Sequence, residues 1–273
     1  MFKKSLIYKR LLTISLIVIL IILISNHVFA TVRVEPSRII LNAIERERST
    51  GIIEVVNNGE EKIELTTVLH DWSLDEKNSV VVFEAGETEY TLDGLIKFNP
   101  REFTLAPGQK QIVRFTVSSP EGESPRERRG IVFVEHETEL IDEATGSRVK
   151  TQIGTTIYYI PVGVKYNFKF TGLRVFNSPE PMPQGISLRI NNDGDGHMRY
   201  YTSYKIVNSN NELVMEDKLS QLLILPKNER YFSFYLKDRL ESGNYNFMLE
   251  FSFYNTDRAV SYTHLTLPTI YSV

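Results

Sequence analysis

After residue 30 this chain is a succession of short runs rich in Val, Ile, Thr, Tyr and Phe, and Gly, Pro, Asn or Asp separate them. No stretch there repeats apolar residues at the helical period. β-branched and aromatic residues suit the pleated surface of a sheet, and turn signals at short spacing predict an all-β protein built of sandwiches. Candidate strands span 31–41, 49–58, 62–72, 110–117, 129–136 and 149–162. More follow at 166–176, 185–192, 199–207, 212–217, 222–226, 230–236 and 243–255. Within 110–117, Val113, Phe115 and Val117 alternate with Ile112, Arg114 and Thr116, which marks one apolar face. In 49–58 Ile52, Glu54 and Val56 alternate with Ile53 and Val55, and burial on both faces is expected. A sandwich usually takes about 100 residues, so the length predicts two. Pro161 and Gly163 interrupt the strand run and set the join, giving one domain over 31–162 and a second over 163–258.

The two ends fall outside that pattern. Lys3, Lys4, Lys9 and Arg10 precede an apolar run over 11–25, and Val28 and Ala30 occupy the small-residue positions of a signal-peptidase site. Residues 1–30 are read as a signal peptide cleaved near Ala30, which places the remainder in the periplasm or otherwise outside the cytoplasm. The alternative is an uncleaved leader that anchors the protein, although the run is short for a span of about 20 residues. At the other end, Val260–Thr269 (VSYTHLTLPT) resembles a translated sequencing adapter, so 259–273 is read as a non-native tail and the second domain as truncated. Such a truncation is expected to leave unpaired backbone on 243–255 and an uncovered apolar strip that includes Phe247 and Phe251.

Composition removes several classes of function. Cysteine is absent, which excludes disulfides, thiol catalysis and cysteine-ligated metals. Lys+Arg is 31 against 34 Asp+Glu, and four of the basic residues lie in the leader. The exported body is therefore acidic, and no nucleic-acid partner is expected. No HExxH, GxSxG or Walker-type loop occurs, and His70, His136 and His197 lie on or beside different strands. No enzyme activity, cofactor or metal site is expected. The segment NNDGDGH (191–197) places Asn191, Asp193 and Asp195 like the start of a calcium loop. Its twelfth position is Thr202 instead of glutamate, and it is read as a hairpin turn. Trp72, the single tryptophan, is read as core; Glu135, Glu137 and Glu139 as a solvated strand face; and loop 118–130, with Arg126, Arg128 and Arg129, as a charged connector.

Four stretches carry something more specific. They are VEPSRIIL with Arg38, IIEVVNNGEEKIELTTVLHDW ending at Trp72, FNPREFTLAPGQKQIVRFTV with Leu105, Pro107, Gly108 and Arg114, and RERRGIVFVEH followed by QIGTTIYYIP. In this order they resemble the amino-terminal domain of the periplasmic pilus-assembly chaperones, the PapD-like family, over most of 31–162. The resemblance implies two immunoglobulin-like β-sandwich domains working without nucleotide or metal. Its partners would be exported pilin-like or surface-protein subunits that lack a final strand, together with an outer-membrane usher. The membrane would be met only through the leader.

By that resemblance the last long strand of the first domain is donated to the subunit, with Val149, Thr151, Ile153, Thr155 and Ile157 as its donor face. The family holds the subunit's terminal carboxylate with two basic residues on adjoining strands. Arg38 matches the first, and Thr156 stands where the family has lysine. Ile160 stands where the family has the arginine of an inter-domain salt bridge. The function implied is an exported chaperone that stabilises fibre or surface subunits by edge-strand donation. The alternative is a structural or adhesive immunoglobulin-like binding module without a folding client.

Overall fold

The computed structural model describes residues 32–43, 48–119, 122, 124–141, 148–253 and 265–266; the leader over 1–30 and most of the tail over 259–273 lie outside the described residues. Every regular element among them is a strand. β1 (Val32–Glu35), β3 (Ser49–Asn57), β8 (Lys110–Val117) and β6 (Ile96–Asn99) form one sheet in that order. Facing it are β2 (Arg38–Asn42), β10 (Arg148–Ile160), β9 (Arg128–Ile141), β4 (Ile63–Leu74) and β5 (Val80–Glu84), with β7 (Glu102–Leu105) also on β4. The opening run is therefore two strands, not one. Pro36 has no N–H to give a ladder, and the chain crosses there from β1, antiparallel to β3, to β2, parallel to β10. One segment stitches both sheets together.

Between these sheets Ile53, Val55, Val113 and Phe115 pack against Val132, Val134, Ile157 and Tyr159. The alternation in β8 behaves as predicted, with Val113, Phe115 and Val117 buried and Arg114 exposed. β3 meets its expectation in part: Val56 is buried, but Ile52, on the same face, is exposed opposite Arg114 in the ladder.

In the second half, β11 (Phe168–Phe176), β12 (Gly185–Asn192) and β16 (Glu229–Tyr235) make one sheet. The other runs β14 (Leu213–Lys218), β13 (Met198–Asn208), β17 (Tyr245–Phe253) and β18 (Leu265–Thr266), with β15 (Leu222–Ile224) also on β13. Ile186, Leu188 and Ile190 meet Tyr200, Tyr204, Ile206 and Phe247 in the core. The expected uncovered strip on β17 is absent: Phe247 and Phe251 are 1% and 2% exposed. Phe251 stacks on Phe170 at 4.3 Å, and Phe247 lies 5.7 Å from Tyr204. Side chains stand perpendicular to a sheet, so an incomplete edge uncovers backbone groups, not the residues that face the opposite sheet. Among the described residues, the ladder of β17 toward β18 covers Asn246 and Phe247.

The two sandwiches meet over a third apolar cluster, in which Trp72, Ile131 and Tyr158 of the first pack with Leu225 of the second. Trp72 is buried, as expected, but at this junction and not in the sandwich interior. A polar latch lies beside it. Glu127 accepts hydrogen bonds from the His197 backbone N–H at 2.7 Å and pairs with His197 Nδ1 at 2.5 Å. The Glu127 N–H donates to the Asp195 carbonyl at 2.9 Å, and the Arg129 guanidinium lies 3.6 Å from the Glu127 carboxylate. Glu127, Arg129 and His197 are all buried, so Arg129 is a junction residue and not part of an exposed connector. Residues 191–197 do make the expected turn, held by Asn192, whose side chain donates to the Gly196 carbonyl and accepts from the Gly194 N–H. That turn also carries Asp195 and His197 to Glu127.

Candidate functional site

β10 enters the first sandwich from its exposed end. Thr151 is exposed, Ile153 is half-buried against the core, and Thr155 and Ile157 are fully buried. This gradient corrects the expected donor face. Ile157 is a core residue of its own sandwich, and the Thr155 hydroxyl donates to the Pro36 carbonyl at 2.9 Å, so neither side chain is free to enter another protein. Val149 belongs to β10, at an irregularity between Arg148 and Lys150, and its side chain lies outside the described residues.

The backbone of β10 shows the same division. β9 runs along one side from Arg148 to Tyr159, whereas β2 covers the other side only from Thr156 onward. The Thr156 N–H donates to the Ser37 carbonyl, toward β2. Backbone groups alternate in direction along a strand, so Gln152 and Gly154 present theirs to that same side, where no strand pairs with them among the described residues. The result is a short open edge with Thr151 and Ile153 on its core-facing side.

Glu135 flanks this edge and is not solvated. It is buried against Lys150 Nζ at 2.5 Å and Gln152 Nε2 at 2.6 Å, with His70 Nε2 at 4.0 Å. Burial alone pushes its carboxyl up, but the hydrogen bonds from Lys150 and Gln152 and the charges of Lys150 and His70 outweigh it and hold the group below its ordinary range.

At the inner end of the edge Arg38 and Thr156 sit side by side in the parallel ladder of β2 and β10. Arg38 is exposed and has no acidic partner among the described residues. The Thr156 hydroxyl donates its single proton to the Ser37 carbonyl at 3.3 Å, which leaves none for an anion. A second cation is nevertheless close. Tyr158, two residues along β10 from Thr156, stacks on His197 at 4.2 Å. Arg199, two residues beyond His197, shares its side of the chain and lies against the Tyr158 hydroxyl. Arg199 is 8% exposed; its Nη1 reaches Gln221 Oε1 at 3.4 Å, and its Nε has no partner. Burial lowers its pKa, Tyr158 opposes that, and the positive charge of Arg38 lowers it further. Burial also pushes the Tyr158 phenol up to about 12.

Among solved structures, the class 5 fimbriae chaperone CfaA is similar over 87% of this chain and 99% of its own, with 14% identity and a TM-score of 0.50. The fold is that of a fimbrial chaperone. A chaperone–tip adhesin complex of CFA/I fimbriae matches over 88% of this chain and 100% of its own, with 13% identity and a TM-score of 0.49. The YadV chaperone matches over 87% and 100%, with 14% identity and a TM-score of 0.44. No family profile and no curated protein matches the sequence.

Two parts of the junction between the sandwiches carry almost no signal in the sequence. Arg199 lies 43 residues beyond Thr156 on another sandwich, and nothing in a one-dimensional pattern places them together. The pairing of Glu127 with His197 spans 70 residues. Its only signal was a histidine closing the turn at 191–197.

Proposed function

We propose that this protein is an exported chaperone that holds fibre or surface-protein subunits by lending them the open edge of β10. The observation that carries this reading is the open segment of β10 around Gln152 and Gly154. A strand laid against it gains backbone hydrogen bonds, while Thr151 and Ile153, with Val149 next in the alternation, are the residues offered to the subunit's own core. A subunit sandwich lacking one strand exposes an edge and an apolar groove, and covering both prevents aggregation. The partners are pilin-like or surface subunits delivered to an outer-membrane usher, and the protein acts in the periplasm after loss of the leader.

The test is co-expression with a strand-deficient subunit and recovery of the complex from the exported fraction. Replacing Val149 and Ile153 together with Asp places charge in an apolar groove and is expected to abolish recovery of the subunit. Because Ile153 also touches its own core, Gln152→Pro provides an independent check. It removes the N–H at the open edge and, with it, the side-chain bond to Glu135, so Gln152→Ala, which loses the bond to Glu135 but keeps the N–H, is its control. Normal subunit recovery with both variants, each folded by circular dichroism, would sink the reading.

A further inference from the structure

In the second sandwich Ile186, Leu188 and Ile190 of β12 point into the core, so Gly185, Ser187 and Arg189 face outward. The ladders align that outer face in rows: Phe176, Gly185 and Tyr235, then Arg174, Ser187 and Ser233, then Thr171, Arg189 and Tyr231. Phe176, Tyr231 and Tyr235 remain 40%, 59% and 54% exposed there. Single exposed aromatics are ordinary, but rings gathered with arginine on one flat sheet mark a binding surface. Gly185 lacks the side chain that would strike the Phe176 ring, so that ring lies over the central strand and meets Tyr235 edge-on at 6.0 Å. Four residues away along β16, about 13 Å at strand spacing, Arg189 covers one face of Tyr231 at 4.8 Å and pairs with Glu229 at 3.2 Å.

Between these aromatic posts runs a low polar row, the hydroxyls of Ser187 and Ser233 with Arg174 beside them. Lys169, further along β11, is answered by Asp193, but the exposed Arg174 has no acidic partner among the described residues. The exported body is acidic, so this unneutralised cation is a local departure that selects an anion. β12 is paired on both sides, and a peptide strand laid over it finds no backbone to join. A protein interface places apolar groups at its centre and polar ones at its rim. Here the order is reversed. We propose that this face binds a carboxylate-bearing polysaccharide of the uronic-acid type, with Tyr231 and Tyr235 stacking on sugar rings and Arg174 holding a carboxylate. A sugar ring offers an apolar C–H face to an aromatic ring, hydroxyls at its edge to serine, and a planar carboxylate to the guanidinium fork. The site belongs to the second sandwich and shares no residue with the open edge of β10, so it is independent of strand donation.

The probe is a mannuronic acid tetrasaccharide, set against the mannose tetrasaccharide of the same linkage, which lacks only the carboxylates. By calorimetry with the purified protein, the acid is expected to bind about tenfold more tightly than the neutral sugar, the lower range for hydrogen bonds to a charged group. Arg174→Gln is expected to bring the acid down to the level of the neutral sugar while leaving neutral binding unchanged. Tyr231→Ser and Tyr235→Ser are each expected to weaken both sugars by about tenfold, the lower range for covering an aromatic side chain. All three side chains are exposed, so melting temperatures stay near that of the wild type and a loss of binding is not a loss of fold. The Asp substitutions on β10 are expected to leave sugar binding intact.

No saturable binding of either sugar overturns the proposal and leaves strand donation standing. Equal binding of the two sugars by the wild type, or a full acid preference in Arg174→Gln, overturns the assignment of an acidic glycan. If the tyrosine variants instead lose subunit recovery while neither sugar binds, the face belongs to a protein partner and the glycan reading falls.

Discussion

Single residues at the β9–β10 hairpin are tuned by their partners more than by their type. Glu135 alternates with apolar positions and reads as surface, yet it is buried and carries Lys150 and Gln152 on its two oxygens. Its folded pKa lies below the ordinary value of 4.5, so its contribution is fully present above that value and disappears as pH falls through the lowered one. Glu135→Gln is therefore expected to cost about 1 kcal/mol at neutral pH and nothing in strong acid, where the two stability curves converge. Urea unfolding across about pH 7 to 3 checks this, and parallel curves would contradict it. Thr156 shows the same dependence on neighbours. Its hydroxyl suits a hydrogen-bonded anchor, but the nearest acceptor, the Ser37 carbonyl, takes the proton first.

At the scale of elements, each sandwich fastens a strand end with one buried asparagine. Asn57, at the end of β3, donates to the carbonyls of Glu61 and Leu105 and accepts from the Gly59 N–H. Asn192 does the equivalent at the end of β12, with Gly196 and Gly194. Asn57→Ala leaves the Leu105 carbonyl and the Gly59 N–H unpaired, and is expected to destabilise the first sandwich by about 2–3 kcal/mol. Chemical denaturation measures it directly; a change below about 0.5 kcal/mol, the range of ordinary surface substitutions, would show that water replaces the side chain. Asn57 lies in a turn the sequence announces, because Asn-Asn-Gly between apolar runs needs no tertiary information to be recognised. β5 gives a weak sequence signal, because Val80, Val81 and Val82 are an apolar run without alternation; the structure leaves all three exposed. The division of 31–41 into β1 and β2 was equally hidden, since only the arrangement of two facing sheets gives the chain a reason to cross at Pro36.

For the whole molecule the decisive structure is the latch between sandwiches. Removing the carboxylate with Glu127→Ala leaves Arg129 buried over Tyr90 at 4.3 Å with no acidic partner, and takes the acceptor from the His197 N–H. Loss of one member of a buried ionic group typically costs about 3–5 kcal/mol. The variant is expected to unfold at lower denaturant concentration and to be cleaved faster by protease in the connection over 161–167. Unchanged cleavage would mean that the Trp72 cluster alone holds the junction. The sequence by itself determined the all-β class, most strand positions and the apolar faces of strands such as β8, because alternation and turn residues are local signals that survive without a fold. Tertiary structure alone decided where β10 stops being available, which residues form the latch, and that Arg199 comes up to Tyr158 from the second sandwich. Each of these is a contact between residues far apart in the chain, fixed by which sheets face one another and by the burial that results.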